Sequence, residues 1–256
     1  MKKKNLKRVM AELTVPTTNE NAPAQDRSPI IPQRSKLKTN LHIYQRPLTE
    51  KQQQFLELAA DKSTKIVFVS GPAGTSKTFL AVMEALKLIS DKRVSDLIYI
   101  RSAVESSDTK LGFLPGEAGD KLAPYLQPLL DKLAEMLPKN EIDLLMKEER
   151  VAGVPVGFLR GLNWNAKVII ADEAQNLTFK ELFTLITRVG EFSKVFILGD
   201  PEQSDINGKS GFIKMIGHFD DEESRQNGIH VFKFTEDDIV RSGLVQFIIK
   251  KVKKAL

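Results

Sequence analysis

A lysine and a threonine close a glycine-bearing loop in the segment Lys65–Thr78, which reads KIVFVSGPAGTSKT. The apolar, β-branched run Ile66–Ser70 predicts a short buried strand, which Gly71 and the following proline bring to an end. From Gly71 onward the segment fits G-x-x-x-x-G-K-[ST] at every place except Ser76, where the pattern has its second glycine. A chance turn between a strand and a helix is the plain alternative to a phosphate-binding loop.

A helix is predicted to begin directly after the loop, so main-chain N–H groups and the positive end of the helix dipole would face a bound anion. Lys77 would reach the β- and γ-phosphates of a nucleoside triphosphate, and the Thr78 hydroxyl would bind Mg²⁺. Ser76 would cost about 1 kcal/mol if its position requires a positive φ, and little if the position is helix-like. The predicted nucleotide-binding residues of the loop are Gly71, Pro72, Ala73, Gly74, Thr75, Ser76, Lys77 and Thr78.

Acidic residues follow two other apolar runs. Asp172 and Glu173 come after VIIA, where a carboxylate at the end of a buried strand can bind Mg²⁺ and its neighbour can orient and deprotonate an attacking water. The run VFIL precedes LGDPEQ, in which the amide of Gln203 could contact both the γ-phosphate and that water. Solvated acids that cap the next helix, and a common proline turn, are the respective alternatives.

The elements that must position these residues alternate between strand and helix. Short strands that are apolar throughout predict a parallel α/β sheet with helices on both faces, and ligands of such sheets bind at the carboxyl ends of the strands. The predicted strands are 66–70, 96–101, 154–158, 168–171, 195–198 and 229–234. One helix is predicted to begin after Thr49, and a second runs from the end of the glycine loop to about Ser90. Further helices are predicted at 121–137 (kinked or divided by Pro124 and Pro128), 141–150, 178–189, 210–217 and 236–252.

Charge divides the 256 residues unevenly. Residues 1–47 carry ten Lys/Arg and three acids, whereas the remaining residues have a net charge of −2. With four prolines and no sustained period, residues 1–45 are predicted to be a disordered basic tail, either solubilising or binding nucleic acid, and 46–256 the folded domain. The absence of cysteine and of long apolar runs predicts a cytoplasmic protein with no membrane segment.

Five stretches together resemble the PhoH family, the phosphate-starvation-inducible P-loop ATPases. They are GPAGTSKT, LGFLPGEAGDKLAPYLQPLLDKL, FLRG with VIIADEAQN, LGDPEQSD and DDIVRSGLVQFII. Together with an L-T-x-x-Q match at 48–52, the resemblance spans residues 48 to about 250. The resemblance implies a RecA-like P-loop NTPase core similar to the first motor domain of superfamily 1 helicases, ATP and Mg²⁺ as cofactors, and a link to RNA or DNA.

The family's functional residues match this chain position by position. The resemblance implies adenine contact by Gln52, phosphate and metal contacts by Lys77 and Thr78, metal binding by Asp172, base function for Glu173, γ-phosphate sensing by Gln203 and an arginine role for Arg241. The chain departs from the family pattern at Ser76, at Ser102 where proline is usual, and in having no KH or nuclease domain. The short chain with its basic tail resembles a bacteriophage-encoded member.

The function predicted from these features is Mg-dependent ATP hydrolysis on or with RNA or single-stranded DNA. A second RecA-like domain is missing, so a homo-oligomer such as a hexameric ring is expected, with Arg241 of one subunit acting in the next. A surface ion pair with Asp237 or Asp238 is the alternative for Arg241, and a surface helix position is the alternative for Gln52. A nucleotide-dependent binding switch and a small-molecule kinase are rival functions, although no guanine motif and no arginine-rich lid is found.

Overall fold

The computed structural model describes residues 37–102, 118–159, 163–206 and 208–240, with the backbone alone at 118–125 and 158. The helices are α1 (Glu50–Ala60), α2 (Lys77–Ser90), α3 (Ala118–Met136), α4 (Lys139–Lys147), α5 (Phe179–Ile186), α6 (Phe212–Phe219) and α7 (Glu222–Gln226). The strands are β1 (Ile66–Ser70), β2 (Asp96–Arg101), β3 (Val151–Gly153), β4 (Lys167–Asp172), β5 (Lys194–Gly199) and β6 (Ile229–Lys233). Single 3-10 turns cover Val156–Phe158, Ala174–Asn176, Pro201–Gln203 and Glu236–Asp238.

The six strands form one parallel sheet in the order β3-β2-β4-β5-β1-β6. Successive side chains of a strand point to opposite faces, so the short apolar strands supply two cores. On one face Val67, Leu97 and Ile170 pack with the helices α1 to α4. On the other face Phe68 and Ile169 pack with α5 and α6. The predicted α/β architecture, a parallel sheet covered on both faces, is confirmed.

Capping boxes fix the starts of two helices. Thr49 forms a capping box with Gln52 at the start of α1, and Thr178 forms one with Glu181 at the start of α5. Each box satisfies main-chain N–H groups that have no partner inside the helix, which explains why the chain turns into a helix at those threonines.

Two elements differ from their predictions. The strand expected at 154–158 lies earlier, at Val151–Gly153, because Pro155 cannot donate a main-chain hydrogen bond and a 3-10 turn follows it. The helix α3 is one continuous helix, so its predicted division into two pieces is wrong, whereas the alternative of a kink stays a prediction. Its buried residues Leu129, Leu133 and Met136 pack into the core, and we attribute its continuity to this burial.

The packed body begins before residue 46, because Leu37 and Leu41 are buried in the core that includes α2. Residues 1–36 of the predicted tail lie outside the described residues. So does most of the helix predicted for 236–252, of which the described part is the 3-10 turn Glu236–Asp238. No helix of the described residues is long and apolar enough to cross a membrane.

The strand order brings three functional segments to one edge of the sheet. β5 lies between β1, which leads into the glycine loop, and β4, which ends at Asp172. The main-chain N–H of Gly71 donates to the Gly199 carbonyl (3.2 Å), and the N–H of Ala73 donates to the Asp200 carboxylate (2.8 Å). The loop is therefore held over the end of β5, within reach of β4.

Lys194, at the start of β5, ties the sheet to the C-terminal end of α1. Its ammonium donates to the main-chain carbonyls of Ala59 and Asp61 (2.7 Å to the latter), which are acceptors left free at a helix end. Burial lowers the pKa of Lys194 to about 8, with Arg93 acting in the same direction. The charged form is therefore less favourable in the folded protein than in the unfolded chain.

We predict a pH-dependent stability difference between the wild type and Lys194→Met. Between pH 8 and the ordinary lysine value of 10.5 the unfolded chain holds a proton that the folded protein has lost, so stability from this group rises with pH. From pH 7.5 to 9.5 the wild type should gain about 1–2 kcal/mol relative to the variant in urea denaturation. A difference that stays constant over this range would contradict the lowered pKa.

Candidate functional site

The loop between β1 and α2 depends on two left-handed residues and one close contact. A Cβ at Gly71 would lie 2.6 Å from the Phe234 Cβ, so glycine is required there. Gly74 has a φ of 92° and Ser76 a φ of 68°. Of the two conformations considered from the sequence, Ser76 therefore has the one with a positive φ, which costs about 1 kcal/mol for a residue with a Cβ.

Lys77, the first residue of α2, lies across the mouth of the loop. Its ammonium donates to the main-chain carbonyls of Gly71 (2.6 Å) and Pro72 (2.9 Å). Burial lowers the pKa of Lys77, while the charges of Asp200 and Asp172 act in the opposite direction. A cation held by neutral carbonyls in a partly desolvated site can exchange those carbonyls for phosphate oxygens, which are stronger acceptors.

Thr78 and Asp172 meet although 94 residues separate them. The threonine hydroxyl donates to the carboxylate at 3.1 and 3.2 Å, and the buried Tyr99 hydroxyl donates to Asp172 Oδ2 at 2.6 Å. Burial raises the pKa of Asp172, and these two hydrogen bonds act against that rise. A hydroxyl and one carboxylate, with room beside them for water and phosphate oxygens, form a ligand set that Mg²⁺ accepts.

Glu173 follows Asp172 in a strained backbone conformation, with a φ of 54°. Its carboxylate accepts a hydrogen bond from Gln175 Nε2 (2.7 Å) and lies 3.7 Å from the Arg101 guanidinium, and its side chain is 39% exposed. A carboxylate that is oriented by a hydrogen bond from Gln175 and is also accessible to solvent can accept a proton from a water molecule. The strained φ is typical of residues whose position is set by function.

A hydrogen-bonded lock joins the loop after β4 to the loop after β5. Gln175 is 1% exposed, accepts from the Asp200 N–H (3.0 Å) and donates to the Gln203 carbonyl (3.3 Å). Asn176 donates to the Asp205 carboxylate (2.9 Å) and accepts from its N–H (2.8 Å). The segments that carry the acid pair and Gln203 are therefore one connected unit.

The phosphate loop, the acid pair and Gln203 border one cavity of about 470 Å³. The predicted site residues that line it are Ala73, Gly74, Ser76, Lys77, Thr78, Asp172, Glu173 and Gln203. Gln52 does not line it. That residue is 2% exposed inside the α1 capping box, and its Nε2 has no hydrogen-bond partner among the described residues, so adenine contact stays a prediction. Arg241 lies outside the described residues.

Three residues of the site were given no role from the sequence. Tyr99 reads as an ordinary residue of a buried strand, and Gln175 belongs to the stretch VIIADEAQN without a role of its own. Arg46 also lines the cavity, although composition places it at the edge of the tail. One signal was available for Tyr99, because a tyrosine inside an apolar strand needs a hydrogen-bond partner for its hydroxyl.

The glycine loop, the acid pair and the parallel sheet define a P-loop NTPase-like protein with a RecA-like fold. The family model described as PhoH-like protein matches residues 44–253, and the chain belongs to the PhoH family. The resemblance inferred from the five sequence stretches is thus confirmed. A P-loop NTPase of this family implies nucleotide and metal use in general. The expected bacteriophage origin stays a prediction.

Curated relatives are identical to this chain at about a third of the aligned residues. The PhoH-like protein of Mycobacterium tuberculosis is 38% identical over 206 residues, 80% of this chain and 56% of that protein. The PhoH-like protein of Bacillus subtilis is 36% identical over 202 residues, 77% of this chain and 61% of that protein. Protein PhoH of Escherichia coli is 32% identical over 203 residues, 78% of this chain and 56% of that protein. The chain therefore spans little more than half the length of these relatives.

A structure of Pif1 helicases that concerns DNA unwinding at forked double-stranded DNA aligns with 75% of this chain and 44% of its own. The sequence identity is 15% and the TM-score is 0.36.

We predict that Gln175→Leu destabilises the protein by about 1–3 kcal/mol, because the buried N–H of Asp200 loses its acceptor and keeps the cost of desolvation. The free energy of unfolding, measured in urea, gives the size of the loss. Gln203→Ala is the matched control, because its side chain is exposed and its removal should change stability by less than about 0.5 kcal/mol. Equal stability of the wild type and Gln175→Leu would show that the lock does not hold the two loops.

Proposed function

We propose that this protein is a Mg-dependent ATPase that acts on or with RNA or single-stranded DNA as an oligomer. The contact between the Thr78 hydroxyl and the Asp172 carboxylate carries the proposal, because it brings the phosphate loop and the acid pair into one cavity with Lys77. A site in which the two halves faced separate cavities could not share one nucleotide. The family membership supports the same conclusion.

Each residue of the site has a role in this reaction. The loop amides and Lys77 bind the phosphate chain and stabilise the charge that develops on it. Thr78 and Asp172 would hold Mg²⁺, which when bound neutralises charge on the β- and γ-phosphate oxygens. Glu173, oriented by Gln175, takes a proton from the attacking water, and Gln203 orients that water at the rim of the cavity.

The nucleic-acid and oligomer parts of the proposal rest on different features. Residues 1–47 carry ten basic and three acidic side chains, a charge that favours contact with phosphate backbones. The cavity opens to solvent beside Glu173, so a neighbouring subunit could complete it, and Arg241 is the residue we assign to that role. With this assignment we propose a homo-oligomer such as a hexameric ring.

We expect Lys77→Ala and Glu173→Gln each to lower ATP turnover at least 100-fold, for different reasons. The first variant should also bind ATP weakly because it loses the ammonium. The second should bind ATP as the wild type does and fail only in activating water. Steady-state phosphate release and ATP titration separate the two effects, and full turnover by Glu173→Gln would assign the base elsewhere.

The same assay tests the polymer partner. Turnover is measured with RNA, single-stranded DNA and double-stranded DNA at two salt concentrations, and the mass of the protein is measured with and without ATP. Stimulation by a single-stranded polymer that weakens with salt supports phosphate contacts. Nucleotide binding without turnover under every condition would favour the binding switch over the ATPase.

Tyr99→Phe is expected to weaken Mg²⁺-dependent ATP binding about 10-fold, because the donor that orients Asp172 Oδ2 is removed while the packing is kept. ATP binding is titrated at a series of Mg²⁺ concentrations and again in EDTA, where the two proteins should agree. Tyr44→Phe is the matched control, since Tyr44 is 60% exposed and its hydroxyl is outside the site. An unchanged Mg²⁺ dependence in Tyr99→Phe would remove this residue from the metal site.

A further inference from the structure

Arg46 places a guanidinium group on the wall of the cavity. It belongs to the N-terminal strap, which we define as residues 37–48, and it lies in the same cavity as Lys77 and Asp172. Its guanidinium carbon lies 3.5 Å from the centroid of the Phe79 ring, and its Nη2 donates to the Ser76 hydroxyl (3.0 Å). The cation is therefore stacked on the first turn of α2 and fastened to the phosphate loop.

The strap holds this arginine in place from both sides. The Tyr44 N–H donates to the Met136 carbonyl (2.8 Å) at the end of α3, two residues before Arg46. The His42 ring and N–H bind the buried Glu141 carboxylate at 2.5 and 2.8 Å. Three residues after Arg46, Thr49 caps α1. A side chain anchored in this way loses less conformational entropy on binding a ligand than a free surface arginine.

The contact with Arg46 also accounts for the serine of the loop. Ser76 occupies a left-handed position where glycine would be free of strain, and its hydroxyl makes no helix-capping hydrogen bond. The bond from Arg46 is the interaction that the serine side chain adds at this position. Backbone strain that is retained at a site usually has a functional reason. Here the strained serine supplies the hydroxyl that orients the guanidinium of Arg46.

The place of Arg46 in the cavity indicates which part of a nucleotide it meets. The reacting end must lie beside Glu173 and Gln203, at the ends of β4 and β5. Arg46 contacts the loop and α2 instead, through Ser76 and Phe79. A triphosphate that runs from the acids past the loop amides would therefore place its nucleoside near Arg46. One face of the guanidinium is covered by Phe79, and the side chain is exposed to the cavity.

We propose that Arg46 is a nucleobase-stacking residue, with the base packed on the guanidinium face opposite Phe79. This inference rests on the proposed nucleotide-binding function and adds the recognition of the nucleoside to it. Guanidinium planes stack well on aromatic rings, and a planar base has a π face of the same kind. Phe79, the Arg46 guanidinium and the base then form three stacked layers. The hydrogen bond to Ser76 holds the guanidinium between the other two.

The test compares ligands with and without a base. Binding of ATP and of inorganic tripolyphosphate to the full chain is measured by calorimetry in Mg²⁺ buffer. Arg46→Ala should weaken ATP about 10-fold and leave tripolyphosphate within about twofold, because only ATP has a base to stack. Arg46→Lys should resemble Arg46→Ala for ATP, because it keeps the charge and lacks the planar group.

Three results would overturn the stacking role: unchanged ATP binding by Arg46→Ala, equal weakening of both ligands, or wild-type affinity in Arg46→Lys. The last two would make Arg46 a charge on the phosphates. Lys77→Ala is the reference, since it should weaken both ligands. If it weakens neither, the proposed function itself fails, whereas a loss in Lys77→Ala without one in Arg46→Ala overturns the stacking role alone.

A second set of variants tests the serine. Ser76→Ala removes the hydroxyl and keeps the Cβ, so it should weaken ATP about two- to threefold while the guanidinium stays over Phe79. In the double variant with Arg46→Ala, the serine change should have no further effect, because the partner of the hydroxyl is gone. Fully additive losses would show that Ser76 acts independently of Arg46.

Discussion

The hydrogen bond between the Thr78 hydroxyl and the Asp172 carboxylate is the contact on which the rest of the site depends. β1 and β4 are not neighbours, and two strand spacings of a sheet amount to about 10 Å. The first turn of α2 closes this gap because the loop before it leans over the end of β5, held by Gly199 and Asp200. The insertion of β5 therefore leaves room for the cavity of about 470 Å³ between the loop and the acid pair.

Lys77, which is half-buried, and Asp172, which is buried, form no ion pair with each other. Lys77 is bound by carbonyls and Asp172 by hydroxyls, so each charge is solvated by neutral groups. Burial shifts both pKa values toward the neutral forms. A bound Mg²⁺ and a phosphate chain would supply the missing opposite charges, which is the arrangement expected of a site organised before its ligand arrives.

The sequence predicts those site residues that can be recognised from a short, continuous pattern. A strand, a loop pattern and a helix in succession identify Lys77 and Thr78, and acids after an apolar run identify Asp172 and Glu173. The order of the strands is not local, and neither are the partners of Tyr99, which lies on a strand 73 residues from Asp172. Arg46 was not recognised as a site residue because charge and proline content end the predicted tail at residue 45, directly before it. The packed core in fact extends back to Leu37.

Burial divides the site into a fixed part and an adjustable rim. Gln175 and Tyr99 are 1% exposed, and each has its hydrogen bonds made before any ligand binds. Gln203 and Arg46 line the same cavity with exposed side chains. The positions of Asp172 and Glu173 are therefore fixed by hydrogen bonds from Tyr99 and Gln175 that are already made. Discrimination among ligands then falls to the rim, where a side chain can change its contacts without leaving a buried group unpaired.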